Sequence, residues 1–127
     1  MSSSTWAGKR ALVADDNEDS RKLATLMLKR EGMVVSQAEN GRQAVDQACA
    51  ETPDLILMDL EMPVMGGLEA IRNIRAGGKA PAVRIIALSA HAAGESHEHS
   101  LAAGADGYLV KPLRIADLQK ALAALLA

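Results

Sequence analysis

Five short apolar runs, at residues 10–14, 34–38, 55–58, 83–88 and 108–110, recur along the chain at intervals of roughly 20 to 30 residues. Most are continuously apolar rather than alternating, the pattern of strands buried on both faces of a parallel sheet. Between them lie segments with helical spacing. Leu23, Met27 and Glu31 make a three-to-four step in the first, with Leu26 and Arg30 beside it. Ala44, Val45 and Ala48 do so in the second, and Leu68, Ile71 and Ile74 in the third. Residues 92–103 form an Ala-rich, weakly amphipathic fourth segment. The last carries the clearest stripe: Ile115, Leu118, Leu122, Leu125 and Leu126. Strands alternating with helices imply βαβ units with right-handed crossovers, and so a doubly wound α/β domain.

Punctuation agrees with this division. Asp19 or Ser20 is placed to cap the first helix and Gly32 to stop it; Asn40-Gly41 opens the second and Pro53 follows it. Gly77-Gly78 and Pro81 close the third. With no repeat, linker or low-complexity stretch, the expected organisation is a leader of residues 1–8 and one domain of residues 9–127. A chain of 127 residues buries roughly two-thirds of its unfolded surface, enough for one core without staples. Trp6 and Tyr108 are the only aromatic residues, so that core must be built from Leu, Ile, Val, Met and Ala. Trp6 itself has no evident role.

Composition removes several functions. Two rings provide nothing for bases to stack on, and a net charge of −2 lacks the basic footprint of a nucleic-acid binder. Cys49 cannot form an internal disulfide, which fits a reducing, cytoplasmic setting, and it reads as a small helix-packing residue. Neither an export signal nor an apolar run of about 18 residues is visible, so no membrane association is expected.

In a parallel sheet the strands' C-terminal ends share one edge. Asp15 and Asp16 follow the first strand, while Asp59, Ser89 and Lys111 end the third, fourth and fifth. In the order 2-1-3-4-5, the crevice at the topological switch lies between strands one and three and holds all three aspartates. Carboxylates packed at about 4 to 6 Å repel and cannot all ionise cheaply. A divalent cation would offset them, and oxygen-only ligands with an incomplete shell favour Mg²⁺. Carboxylate, Mg²⁺, hydroxyl and ammonium together are the equipment for phosphoryl transfer to aspartate.

The pieces A-L-V-A-D-D-N, P-D-L-I-L-M-D-L-E-M-P-V-M-G-G-L-E, I-I-A-L-S-A and G-A-D-G-Y-L-V-K-P-L, in this order and at these separations, resemble the receiver domain of two-component response regulators. The resemblance runs from Lys9 to about Leu126 and implies a flavodoxin-like (βα)5 three-layer sandwich. It implies that Asp59 accepts the phosphoryl group, from a sensor histidine kinase or a histidine phosphotransfer protein. It implies Mg²⁺ ligation by Asp16, Asp59 and the backbone carbonyl of Glu61, with Asp15 acting through water. Ser89 is then the switch hydroxyl, Tyr108 the switch aromatic and Lys111 the phosphoryl-binding lysine, with a cis peptide between Lys111 and Pro112. Output is expected through protein contacts on the face of the fourth helix, fifth strand and fifth helix. Glu61 and His91 fall where the family varies and tunes its dephosphorylation, and Gly66 stands where many relatives carry Asp.

Simpler readings stand beside these. An Asp-Asp pair after a strand is commonly a helix cap, Lys-Pro a turn and Ser89 a strand-end hydroxyl; their joint position argues otherwise. Tyr108 is either the switch ring or a half-buried strand aromatic. His97 and His99, two apart on a helix, do not share a face and read as solvated surface rather than a metal site. Ala102, Ala103 and Ala105 either keep the fourth helix thin or admit a close partner. The rivals to a free-standing receiver are a receiver belonging to a hybrid sensor histidine kinase, an aspartyl-phosphate phosphohydrolase, and a nucleotide- or flavin-binding domain. The second rival normally needs a second Asp where Glu61 stands, and the third a Gly-rich loop after the first strand.

Overall fold

The computed structural model describes residues 6–77, 83–90 and 94–126. Its strands are β1 (Arg10–Ala14), β2 (Val34–Ala38), β3 (Leu55–Asp59), β4 (Arg84–Ser89) and β5 (Gly107–Val110). Its helices are α1 (Glu18–Arg30), α2 (Gly41–Glu51), α3 (Gly67–Gly77), α4 (Glu95–Ala103) and α5 (Ile115–Leu126). All pairings are parallel and the sheet order is β2-β1-β3-β4-β5, as the sequence predicts. The three central strands are buried almost throughout, whereas the edge strands β2 and β5 are half open to solvent. Continuous apolarity therefore marks a central strand more faithfully than an edge one.

Alternate residues along each strand supply two separate cores. Leu12, Ala14, Ile56, Met58, Ile85 and Ala87 meet Ala44 and Ala48 of α2, Ala70, Ile71 and Ile74 of α3, and Ala103 of α4. Val13, Leu55, Leu57, Ile86 and Leu88 meet Ala24 and Leu28 of α1 and Leu118 and Leu122 of α5. The result is helices on both faces of one sheet. Alanine on α2, α3 and α4 lets those helices approach the sheet closely, and that is how a core forms without phenylalanine.

Three local expectations need correction. The buried stripe of α1 is Ala24, Thr25 and Leu28, while Leu23 and Leu26 are exposed. Ala24 and Leu28 face the sheet in the α1–α5 core, and Leu23 and Leu26 are turned toward solvent. Asn17, not Asp19 or Ser20, caps α1: its backbone is extended and its side chain accepts from the Ser20 N–H at 2.9 Å. The fourth helix begins at Glu95, because Gly94 at φ 128 cannot continue a right-handed helix backwards. Ala92, Gly78, Pro81 and His91, all named above, lie outside the described residues.

Trp6 acquires a role. Its ring is 4% exposed in the α1–α5 core, and its indole N–H donates to the Leu122 carbonyl at 3.0 Å. The Gly8 N–H donates to Gly32 O at 2.8 Å, so the segment before β1 is held against α5 and the turn after α1. Trp6→Ala is expected to cost about 3 kcal/mol in urea unfolding followed by circular dichroism. Trp6→Phe, which keeps a ring but removes the donor to Leu122, should cost about 1 kcal/mol. Losses no larger than those of a surface substitution would show that the ring is not part of the core.

Candidate functional site

The register sets the site. Ala14 pairs with Met58 and Met58 with Ala87, so β1 and β3 end level and side by side. Asp15 and Asp59 therefore emerge together, and Asp16 follows on the opening β1–α1 turn. Carboxylate oxygens of Asp15, Asp16 and Asp59 all lie within 4.8 Å of one another. Asp59 is 1% exposed and Asp15 equally buried, whereas Asp16 faces solvent. Lys111, immediately after β5, reaches back across β4 and β3. Its Nζ lies 2.9 Å from Asp15 Oδ2 and 3.3 Å from Asp59 Oδ2. The Lys111–Pro112 peptide is cis.

Backbone donors hold both buried acids in place. The Asn17 N–H donates to Asp15 Oδ1 at 2.9 Å, and the Glu61 N–H to Asp59 Oδ1 at 3.1 Å. Two residues that sequence reasoning missed build these turns. Arg21 donates from Nη1 to the Asp15 carbonyl at 2.8 Å and from Nε to Gln37 at 3.0 Å, pinning the β1–α1 turn to β2. Gly67 opens α3 so close to β3 that a Cβ there would run into the Asp59 carbonyl. Neither carries a sequence signal beyond residue type, since both act through tertiary contacts.

Ser89 is fully buried at the end of β4. Its hydroxyl donates to Glu61 Oε2 at 3.1 Å, and the Ala90 N–H faces Glu61 Oε1 at 3.4 Å. The sequence reading gave Glu61 a metal-binding carbonyl and a position where the family tunes dephosphorylation, but no side-chain partner; its reach to Ser89 and Ala90 is new. Tyr108, half-buried on β5, stacks on His97 with ring centroids 4.7 Å apart and planes 18° from parallel. His97 is thus packed against the edge strand rather than freely solvated, which corrects its expected place; His99 is exposed. The correction follows from α4 lying over β5, a relation that spacing on α4 alone does not reveal.

Electrostatics single out Asp59. Burial, and next the negative charge of Asp15, push its carboxyl up to about 7, against the opposing pull of the Glu61 N–H and Lys111. Burial opposes the charged form of Lys111. Its hydrogen bond to Asp15, together with the charges of Asp59 and Asp15, nevertheless outweighs that penalty and holds the ammonium above its ordinary value. With all three acids ionised, one ammonium leaves a formal deficit of two charges. Hard oxygen donors, an exposed member at the mouth and uncompensated negative charge fit a small divalent cation such as Mg²⁺. A buried carboxylate gripped by an ammonium, beside a hydroxyl and an amide, is suited to nucleophilic attack on phosphorus.

The family model described as the response regulator receiver domain matches residues 11–123. Chemotaxis protein CheY of Halobacterium salinarum is 34% identical over 117 residues, covering 90% of this chain and 93% of that protein. Hybrid signal transduction histidine kinase I of Dictyostelium discoideum is 38% identical over 123 residues, but the chain spans only 7% of its length. Among solved structures, the receiver domain of a sensor histidine kinase from Pseudomonas aeruginosa superposes with a TM-score of 0.86 at 38% identity. It covers 94% of this chain and 98% of that one. That structure has a magnesium ion coordinated in its active-site cleft. Among the described residues, no helix is long and apolar enough to cross a membrane.

Asp59 ionises near pH 3.8 when exposed and near 7 when folded. Its contribution to stability is therefore full below about 3.8 and lost as pH rises through about 7. Without divalent cations, Asp59→Asn should gain on the wild type by about 2 kcal/mol between pH 5 and pH 8 in urea unfolding. A difference between the two that does not change with pH would contradict the raised value.

Proposed function

The chain belongs to the response regulator receiver domain family of two-component signalling, and from that premise we propose that it takes a phosphoryl group onto Asp59 and changes its protein-binding face in response. The observation that carries this reading is the buried Asp59 carboxylate, held by Lys111 at 3.3 Å and pressed by Asp15. One Asp59 oxygen attacks phosphorus, the P–N bond of a donor phosphohistidine breaks, and the imidazole leaves with that electron pair. An acyl phosphate remains. Asp16, Asp59 and the Glu61 carbonyl would hold Mg²⁺, with Asp15 acting through water. The bound ion would neutralise charge on the transferring oxygens. Lys111 would hold another of those oxygens, and Ser89 the one nearest β4. The same groups would assist the later hydrolysis, so the domain acts on itself while its output is binding.

The modification adds roughly −1.5 to −2 charge. Ser89 would move toward it, vacating space into which Tyr108 turns, and Tyr108 would leave its stack on His97. The face so altered already carries exposed apolar side chains: Leu101 on α4 is 47% exposed, Val110 on β5 40% and Ile115 on α5 37%. These support docking of a downstream protein on α4, β5 and α5. A sensor histidine kinase or a histidine phosphotransfer protein is the proposed donor. The Dictyostelium and Pseudomonas relatives favour, as a second context, a receiver working within a hybrid sensor kinase; the chemistry would be the same.

Incubation with acetyl phosphate and Mg²⁺ should add one phosphoryl group to the wild type and none to Asp59→Asn, as read by intact mass. Modification of Asp59→Asn at the normal rate would overturn the assignment. Lys111→Ala should slow the reaction by about a hundredfold while leaving the far-ultraviolet circular dichroism spectrum unchanged.

A further inference from the structure

Glu61 lies on the exposed loop after β3, where a carboxylate would ordinarily point into water. It turns back across the cleft instead. Oε2 accepts from the Ser89 hydroxyl at 3.1 Å, and Oε1 faces the Ala90 N–H at 3.4 Å. Its own N–H donates to Asp59 Oδ1 at 3.1 Å. The loop is therefore tied to Asp59 by its backbone and to the opposite wall by its side chain. The same loop holds Val64, a β-branched residue, at φ 69, a conformation such residues rarely adopt.

A carboxylate gripping one hydroxyl and one amide with its two oxygens makes the contacts that two oxygens of a tetrahedral oxyanion on Asp59 would need. Resting on the phosphoacceptor reading above, we infer that the Glu61 carboxylate is a built-in gate, occupying the oxyanion donors of the β4–α4 turn until a phosphoryl group on Asp59 displaces it. Displacement is driven by charge: the incoming group brings roughly −2 against the carboxylate's own negative charge, and both compete for the same two donors. Eviction costs little desolvation because Glu61 already borders water. The gate satisfies Ser89 and Ala90 while the site rests, and it lowers the affinity of the site for any anion at Asp59. Once expelled, Glu61 moves its charge to the outer surface of the loop, so the loop as well as Tyr108 reports the modification.

Beryllofluoride binding at saturating Mg²⁺, followed by fluorine NMR, tests this without turnover; saturation removes any effect of Glu61 on metal affinity. Glu61→Ala should tighten the beryllofluoride Kd about fivefold to tenfold, and Glu61→Gln, which keeps length and one acceptor but loses the charge, should fall between. In a Ser89→Ala background the gain from Glu61→Ala should shrink to less than about twofold. In the unliganded protein, Glu61→Ala should move the Ala90 amide proton upfield. A Kd unmoved by Glu61→Ala overturns the gate, whether or not the amide moves, since the contact then has no hold on the site. An unmoved amide overturns it as well. If neither wild type nor Glu61→Ala binds beryllofluoride, the acceptor assignment falls and the gate with it; Asp59-dependent binding with an unmoved Kd removes the gate alone.

Discussion

Lys111 bridging Asp15 and Asp59 is the contact that the rest of the structure is arranged to hold. Two unit charges 4 Å apart interact by about 4 kcal/mol at an effective dielectric constant near 20. That is a large share of the roughly 5–15 kcal/mol by which a small domain is stable. Nothing forces a folding chain to bury two carboxylates at adjacent strand ends, and burial with mutual repulsion keeps Asp59 near 7 even with the ammonium present. Among the described residues, the fold accepts this cost at one edge. Elsewhere the ionic contacts are ordinary, such as Arg75 with Asp106 at 2.8 Å and the exposed helical pair Lys22 with Glu18.

Holding that edge together demands precision from parts remote from it. Parallel registration of β1, β3 and β4 brings the acids and Ser89 to one level. Small residues draw α2, α3 and α4 down onto the sheet, so Gly67 can start α3 directly beneath the loop from Asp59. On the other face Trp6 fastens the segment before β1 to α5, near the strand that delivers Lys111. Arg75 performs a comparable service below α4, donating to the Gly104 and Val83 carbonyls. A site that stores repulsion needs walls that do not yield, and these contacts supply them.

Most of the architecture was legible in the sequence because strand ends in a parallel sheet are topologically forced to one edge. Asp15, Asp16, Asp59, Ser89 and Lys111 could be brought together from chain order, and the structure brings them together. What escaped was set by contacts between elements. The face α1 buries is set by how the helix is rotated against the sheet, which turns Ala24 and Leu28 inward and Leu23 outward. His97 met Tyr108 because α4 crosses β5, which no spacing within α4 discloses. Trp6 lay before the first recognisable element and had no periodic partner. The partner of the Glu61 side chain was not legible for a different reason: a loop carboxylate is equally compatible with solvent, and only the folded chain shows that it spans the cleft to Ser89.

The central claim is that this edge exists to form an acyl phosphate on one carboxylate out of the three. Borohydride reduction converts an aspartyl phosphate to homoserine, and peptide mass spectrometry then locates it. After treatment with acetyl phosphate and Mg²⁺, the account predicts reduction at residue 59, none at Asp15 or Asp16, and loss of the signal when Mg²⁺ is chelated. Homoserine at either of the other acids, or none at residue 59, would contradict it.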